Sequence, residues 1–250
     1  MDLRWDILAG YGPLFLEGLW TTIELTLVAI ACGLALGVLL GLISSSRDAP
    51  PPKSVALYWV LKGIRGVALA YVTFFRGTPL FVQILLVHFA VMPALIHPDH
   101  GLLLSGDLAR QFRQDHGAFF SGAVALSLNA GAYISEIFRA GIQSIHLGQT
   151  QASWSLGLTH GQTMRYVVLP QAFRRMVPAL VNEGVALIKD SSLVSAIGLA
   201  ELALAARTVA GAYSRYWEPY LAISAMYLVL TLVLSTLAKR LEAPAHLRGR

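Results

Sequence analysis

A single cysteine, Cys32, stands in 250 residues, so no intrachain disulfide holds this chain together, and Cys32 is expected to be a small packing residue. Charge is equally sparse. Lys, Arg, Asp and Glu make up 13% of the residues against 56% hydrophobic ones, and mean hydropathy is +0.61, a balance foreign to an ordinary soluble domain. Also missing are a phosphate-binding GxxxxGK loop, an HExxH zinc motif and a glycine-framed nucleophilic serine. These absences argue against an enzyme and against ATP binding by this chain. The opening MDLRWDILAGYGPL has no basic region leading into a short apolar core, so the first apolar helix is expected to be kept rather than cleaved as a signal peptide.

What the chain has in abundance is apolar runs of about 20 residues, long enough to cross a bilayer. They fall near 19–43, 78–96, 117–140, 176–198 and 217–238, which predicts an all-α, polytopic membrane helix bundle of five spans. With the N-terminus outside, thirteen of the nineteen Lys and Arg residues fall in inner segments and five outside (Arg4, Arg110, Arg113, Arg207 and Arg215), with Lys189 inside a span. The positive-inside tendency therefore puts the N-terminus outside and the C-terminus in the cytoplasm. The net charge of +5 then reports topology and contact with anionic lipid, since the cations are spread over separate segments and no nucleic-acid motif accompanies them. The run Pro50, Pro51, Pro52 reads as a stiff turn. Residues 54–75 are apolar but carry Lys62 and Arg65, and a cation at a bilayer centre costs several kcal/mol. That segment is expected at the interface, with a sixth span as the other reading.

Residues 151–170, QASWSLGLTHGQTMRYVVLP, form a polar, glycine-broken interruption between two apolar runs. A short helix over 150–156 is expected to stop at Gly157, which supplies a left-handed residue. Thr159 and Gln162 are spaced as a capping box, so a second helix starts there and is expected to run until Pro170 removes a backbone donor. In the first span Gly33, Gly37 and Gly41 recur every fourth residue, which puts three positions without side chains on one face as a packing seam.

Gln151, Ala152, Ser153, Gly157 and Pro170 stand at the spacing of the EAA signature, and the segment resembles that of ABC-transporter permeases, with Gln151 in place of the family's glutamate. Phe75, Arg76, Gly77, Thr78, Pro79 and the following Gln83 resemble the entrance to a span in permeases for polar amino acids. Arg76 would lie at the inner boundary, and Pro79 fits the first turn of a helix. NEGVALIKDSSL, from Asn182 to Leu193, is similar to the same subfamily, as is the stretch from Ala130 to Gln143.

The resemblance implies the type I ABC importer transmembrane fold over 19–240, preceded by an extracytoplasmic segment at 1–18 and followed by a cytoplasmic tail at 241–250. It also implies that the loop 143–175 is a coupling element in which Gln151, Ala152, Ser153, Gly157, Leu158, Thr159, Gly161 and Pro170 dock a separate ATPase. Mg-ATP would be bound by that partner, and this chain would need no cofactor. The other implied partners are an extracytoplasmic amino-acid-binding protein and a second permease copy, identical or homologous, in a bacterial inner membrane. The function implied is ATP-driven import of a polar or charged L-amino acid. An ATP-independent secondary transporter or channel is the alternative.

Ionisable groups inside apolar spans are costly unless they are paired or face water. Asn182, Glu183, Lys189, Asp190 and Ser191, with Asn129, Gln83 and Glu24, are therefore candidates for a polar substrate path. Glu136 is expected instead to pair with Arg139 at an i,i+3 spacing. His97, His100 and His116 lie in one outer loop, more plausible as a solvated connection than as a metal site. Residues 199–215 are expected as a short outer amphipathic helix carrying Glu201 and Arg207.

Overall fold

The computed structural model describes residues 3–45 and 54–242. Arg47, the three prolines at 50–52, Lys53, Arg248 and Arg250 lie outside the described residues, as does most of the expected tail. A 3-10 turn, Trp5–Tyr11, leads into α1 (Gly12–Ser45), followed by α2 (Val55–Gly77) and α3 (Leu80–Leu95). Next come α4 (Gly106–Gln143), α5 (Leu147–Ser155), α6 (His160–Ile197), α7 (Leu202–Tyr213) and α8 (Trp217–Glu242).

Where the helices break, local chemistry accounts for it. Ser54 caps α2 by accepting the Leu57 amide. Thr78 precedes Pro79 and is therefore driven out of the helical region, to φ −119° and ψ 149°, which separates α2 from α3. Two of the prolines inside continuous helix each lie two residues after a π turn: Val87–Val91 before Pro93, and Met164–Val168 before Pro170; Pro178 lies inside α6 as well. A wider turn moves the i−4 carbonyl that a proline ring would strike, and the amides of Met92 and Leu169 reach back to Val87 and Met164. Pro170 thus does not end the second helix as expected; α6 runs on through it.

Among the described residues, four helical stretches are long and apolar enough to cross a membrane: Trp5–Ser44, Val55–Gly77, Gly106–Gln143 and Trp217–Lys239. A fifth is α6 with α7, taken as one span bent by 52°. The total agrees with five, but the membership differs. Val55–Gly77, expected at the interface, has the length and hydropathy of a span, whereas Leu80–Leu95, expected as the second span, is shorter than the other four. Two cations within otherwise apolar sequence hid the first; the uninterrupted apolar character of 78–96 hid the Thr78–Pro79 break. Within 199–215 the expected short amphipathic helix is found over Leu202–Tyr213: Arg207 is exposed, while Leu202, Ala205, Ala206 and Val209 pack with Phe15 and Ile223 in a buried core.

The chain divides into two compact units. The first comprises the residues up to Ala31, Pro79–Ser127 and those from Gly184 onward. Here α7 packs on α8, and Gly18 of α1 lies so close to Glu201 that a Cβ would come within 3.1 Å of its carbonyl carbon. Buried Glu201 caps α7 through the Leu204 amide at 3.0 Å and accepts a hydrogen bond from Tyr227 at 2.7 Å. Buried Glu218 receives Arg215 at 2.6 Å and the Arg4 amide at 2.8 Å, which ties the N-terminal turn to the start of α8.

The second unit comprises Cys32–Thr78 and Leu128–Glu183. A Cβ on Gly37 would lie 2.5 Å from Ile134 Cγ2 and 3.0 Å from the Gly131 carbonyl oxygen, and one on Gly41 would lie 2.6 Å from Phe138 Cβ. Gly33 is also buried, whereas Cys32, expected to pack, is exposed on α1. The seam between α1 and α4 therefore leaves no room for a methyl group at two of its glycines. Gly37→Ala is expected to destabilise the protein by about 1–3 kcal/mol through overpacking, while Gly63→Ala, with open space around it, leaves stability unchanged or raises it. Thermal unfolding of both variants in one detergent checks this.

Candidate functional site

The interruption between α4 and α6 is a helix-turn-helix knob contained in the second unit. α5 begins at Leu147, one turn before the expected start, because His146 Nδ1 accepts the Gly148 amide at 3.0 Å and caps the helix. It ends where Gly157 takes φ +82°. The Leu158 amide then bonds the Ser153 carbonyl at 3.1 Å and the Gly157 amide bonds the Trp154 carbonyl at 2.9 Å, the paired bonds of a Schellman cap. Two residues on, Thr159 Oγ1 accepts the Gln162 amide while Gln162 Oε1 accepts the Thr159 amide at 2.8 Å, closing the capping box that opens α6. The knob thus satisfies its own exposed backbone and needs no partner to keep its shape.

Its outer surface is unusual for so polar a segment. Leu147, Gln151 and Trp154 fall at i, i+4 and i+7, on one face of α5, and all three are exposed. Leu147 is 74% exposed and Trp154 50%, with Leu156 at 81% beyond them. Ala152, Thr159 and Gly161 are exposed and Leu158 is half-buried. Ser153 is buried within this chain, its hydroxyl donating to the Gln149 carbonyl at 2.7 Å, and lies off the exposed face of α5 that carries Gln151 and Trp154. Leu147, Trp154 and Leu156 were not among the residues expected to dock; bulky apolar residues recurring at helical spacing inside a polar connection were the available signal.

The residues proposed for a substrate path divide by exposure. In the second unit Asn182 is exposed and Glu183 half-buried, whereas Asn129 is buried and donates to the Phe75 carbonyl at 3.3 Å, next to the bond from Tyr71 to the Leu128 carbonyl. In the first unit Lys189 is exposed and Asp190 half-buried. Gln83 and Ser191 are buried, and the Ser191 hydroxyl donates to the Ile188 carbonyl at 2.7 Å. Gln83, Asn129 and Ser191 therefore do not present open surface within their units, against the expectation that they line a path. Glu24 is exposed on α1.

Glu136 is held by Arg139 in a two-pronged pair at 2.7 and 3.1 Å, as expected, and also by Arg76 at 3.4 Å across from the end of α2. Gly77 beside it has open space around it. The connection after α3 folds back through the Ile96 and Leu104 bridge, and a Cβ on Gly101 would sit 2.1 Å from the Leu104 carbonyl oxygen. It brings His97, Asp99 and His100 within 4.8 Å of one another, while His116 lies apart on α4 against Phe112.

Among the described residues the chain is helical, with several candidate spans and a polar knob between two of them, the architecture of a multi-pass membrane protein. Residues 54–244 match the family of binding-protein-dependent transport system inner membrane components. The chain is 36% identical to the arginine transport system permease protein ArtQ of Bacillus subtilis, over 97% of each chain. It is 34% identical to the glutamine transport system permease protein GlnP of Escherichia coli K12, again over 97% of each. A crystal structure of an amino acid ABC transporter with histidines superposes with a TM-score of 0.76 at 37% identity, covering 98% of this chain and all of that one. This chain belongs to the family of binding-protein-dependent inner-membrane transport components and has the transmembrane fold of ABC importers. That membership does not favour the secondary transporter or channel.

Because Thr159 caps the second helix of the knob, Thr159→Ala is expected to cost about 1 kcal/mol locally, with less from Gly substitution. Hydrogen exchange of the amides from Gly161 to Thr163 should accelerate about fivefold, with protection in α4 unchanged.

Proposed function

We propose that this chain is the membrane subunit of an ATP-driven importer for a polar or charged amino acid, driven through the knob by a separate ATPase. The observation that carries this reading is the exposed stripe of Leu147, Gln151 and Trp154 with Leu156 beside it. Apolar side chains this exposed, on an element already stable without a partner, are suited to insert into a cleft on another protein. Gln151 at the centre of the stripe is neutral, so docking rests on apolar burial and amide hydrogen bonds, with no ion pair at that position. The ATPase binds and hydrolyses Mg-ATP, an extracytoplasmic binding protein delivers the substrate, and a second permease copy completes the path.

Asn182 and Lys189 support the substrate side of the proposal. Each is exposed on a helix that has to cross a bilayer, and a lysine facing hydrocarbon there is costly, so these side chains are better placed facing water or another subunit. Lys189 suits a substrate carboxylate and Asp190 an ammonium group. Recognition of those two groups alone leaves the amino-acid side chain to the binding protein and to other wall residues, which agrees with relatives named for arginine and for glutamine.

Reconstitution with the ATPase and binding protein in liposomes tests the proposal: labelled amino-acid uptake should require ATP. Trp154→Ala with Leu156→Ala should abolish ATP-dependent uptake and loosen ATPase binding while the permease stays folded. Uptake driven by an ion gradient without the ATPase would overturn it. For the path, Asp190→Asn is expected to raise KM about tenfold, the loss of one charge-assisted hydrogen bond, with basal ATP hydrolysis unchanged.

A further inference from the structure

Within the first unit, a cavity of about 310 Å³ opens between α3 and the Gly106 end of α4. Arg110, Arg113, Gln114, Gly117 and Ser121 line it from one helix, at i, i+3, i+4, i+7 and i+11, so they form a single stripe along α4. His88 faces them from α3. The Ser121 hydroxyl lies 2.7 Å from the Gly117 carbonyl and 3.0 Å from His88 Nδ1, which ties α3 to α4 at this end of the cavity. Among the described residues no carboxylate lines this cavity. Asp107 reaches Arg110 at 3.6 Å from outside, but it is 98% exposed, and such a pair contributes little.

The position of the stripe is as informative as its charge. α4 has 38 residues, about 57 Å of helix, against a hydrocarbon thickness of about 30 Å. Its continuously apolar part begins near Gly117, so Arg110, Arg113 and Gln114 stand within two turns of the apolar boundary, at headgroup depth, while Ser121 lies just below it. Met92 and Pro98 also line the cavity, apolar surface next to two guanidinium groups, with Pro98 at the Gly106 end, where its carbonyl accepts the Gly106 amide at 2.8 Å. A Cβ on Gly117 would meet nothing nearer than the Arg113 Cβ at 3.8 Å, so the middle of the stripe is open.

We propose that this cavity binds the phosphate of an anionic phospholipid headgroup, held by Arg110 and Arg113 with Gln114 alongside, its glycerol end directed toward Met92. Guanidinium groups match phosphate oxygens through paired hydrogen bonds, and lipid supplies the apolar remainder that a free phosphate lacks. The site is separate from the knob and from the residues proposed for the substrate path.

Native mass spectrometry of the full chain in detergent, titrated with phosphatidylglycerol, phosphatidylcholine or inorganic phosphate, tests this. Arg110→Gln with Arg113→Gln should weaken the tightest phosphatidylglycerol binding about 30-fold and leave phosphatidylcholine binding unchanged. Arg110→Lys with Arg113→Lys, which keeps both charges but loses the paired guanidinium bonds, should bind between wild type and the Gln pair and reports on the site should the Gln pair lower the melting temperature. Equal phosphatidylglycerol binding by wild type and the Gln pair in folded protein would overturn the proposal. Inorganic phosphate that binds through the same two arginines and displaces the lipid would assign the cavity to free phosphate instead.

Discussion

Hydrocarbon offers a backbone no hydrogen-bond partner, and the rest of this structure depends on that constraint. A chain that must cross a bilayer several times can break its helices only where each freed amide and carbonyl finds another partner nearby. The interruptions here obey that rule by different means. The Thr78–Pro79 break ends α2 in extended backbone, and Pro79 has no amide to orphan. The two π turns let prolines sit inside α3 and α6 by shifting the bonding register, not by ending the helix. Gly198, at φ +87°, closes the last turn of α6 through the Ser195 carbonyl, and Glu201 then opens α7 with its own side chain.

The same constraint sorts the charges. Glu201 and Glu218 are fully buried and each accepts more than one hydrogen bond; an uncompensated carboxylate at either place would cost far more than the packing around it contributes. Glu136 is half-buried and has two arginines. Asn182, which is uncharged, and Lys189 differ in being exposed. Glu136, Glu201 and Glu218 are paired within their own unit, whereas these two side chains are presented outward, and that contrast is a better guide to function than charge alone.

How far these features could be read from sequence depended on whether the signal was local. Gly157 and the Thr159–Gln162 box were legible because a left-handed residue and a capping box are decided within six residues, whatever packs on them. The α1 seam was legible from spacing, although the partner that makes Gly37 tight, Ile134, is almost a hundred residues away and had no signature. Pro170 misled because its effect depends on the turn before it, and no local motif announces a π turn. Ser153 belonged to the docking signature by position, yet the face of α5 it occupies depends on where that helix begins, which His146 sets. Lys62 and Arg65 misled in the opposite sense, since two cations argued for an interfacial helix while the 23-residue continuity of α2 was hidden.

The knob carries the general lesson furthest. Its shape is fixed by its caps, with His146, Thr159 and Gln162 supplying the side-chain bonds, so Leu147, Gln151, Trp154 and Leu156 are free of that duty and can be chosen for contact. An element whose exposed residues also held its fold could not exchange a glutamate for Gln151 without risk to the turn; here the Schellman and capping-box bonds involve neither oxygen nor nitrogen of that side chain. The chemistry of the exposed face is thereby separated from its geometry. An element of this kind can change the side chains it presents while its backbone keeps the same turn.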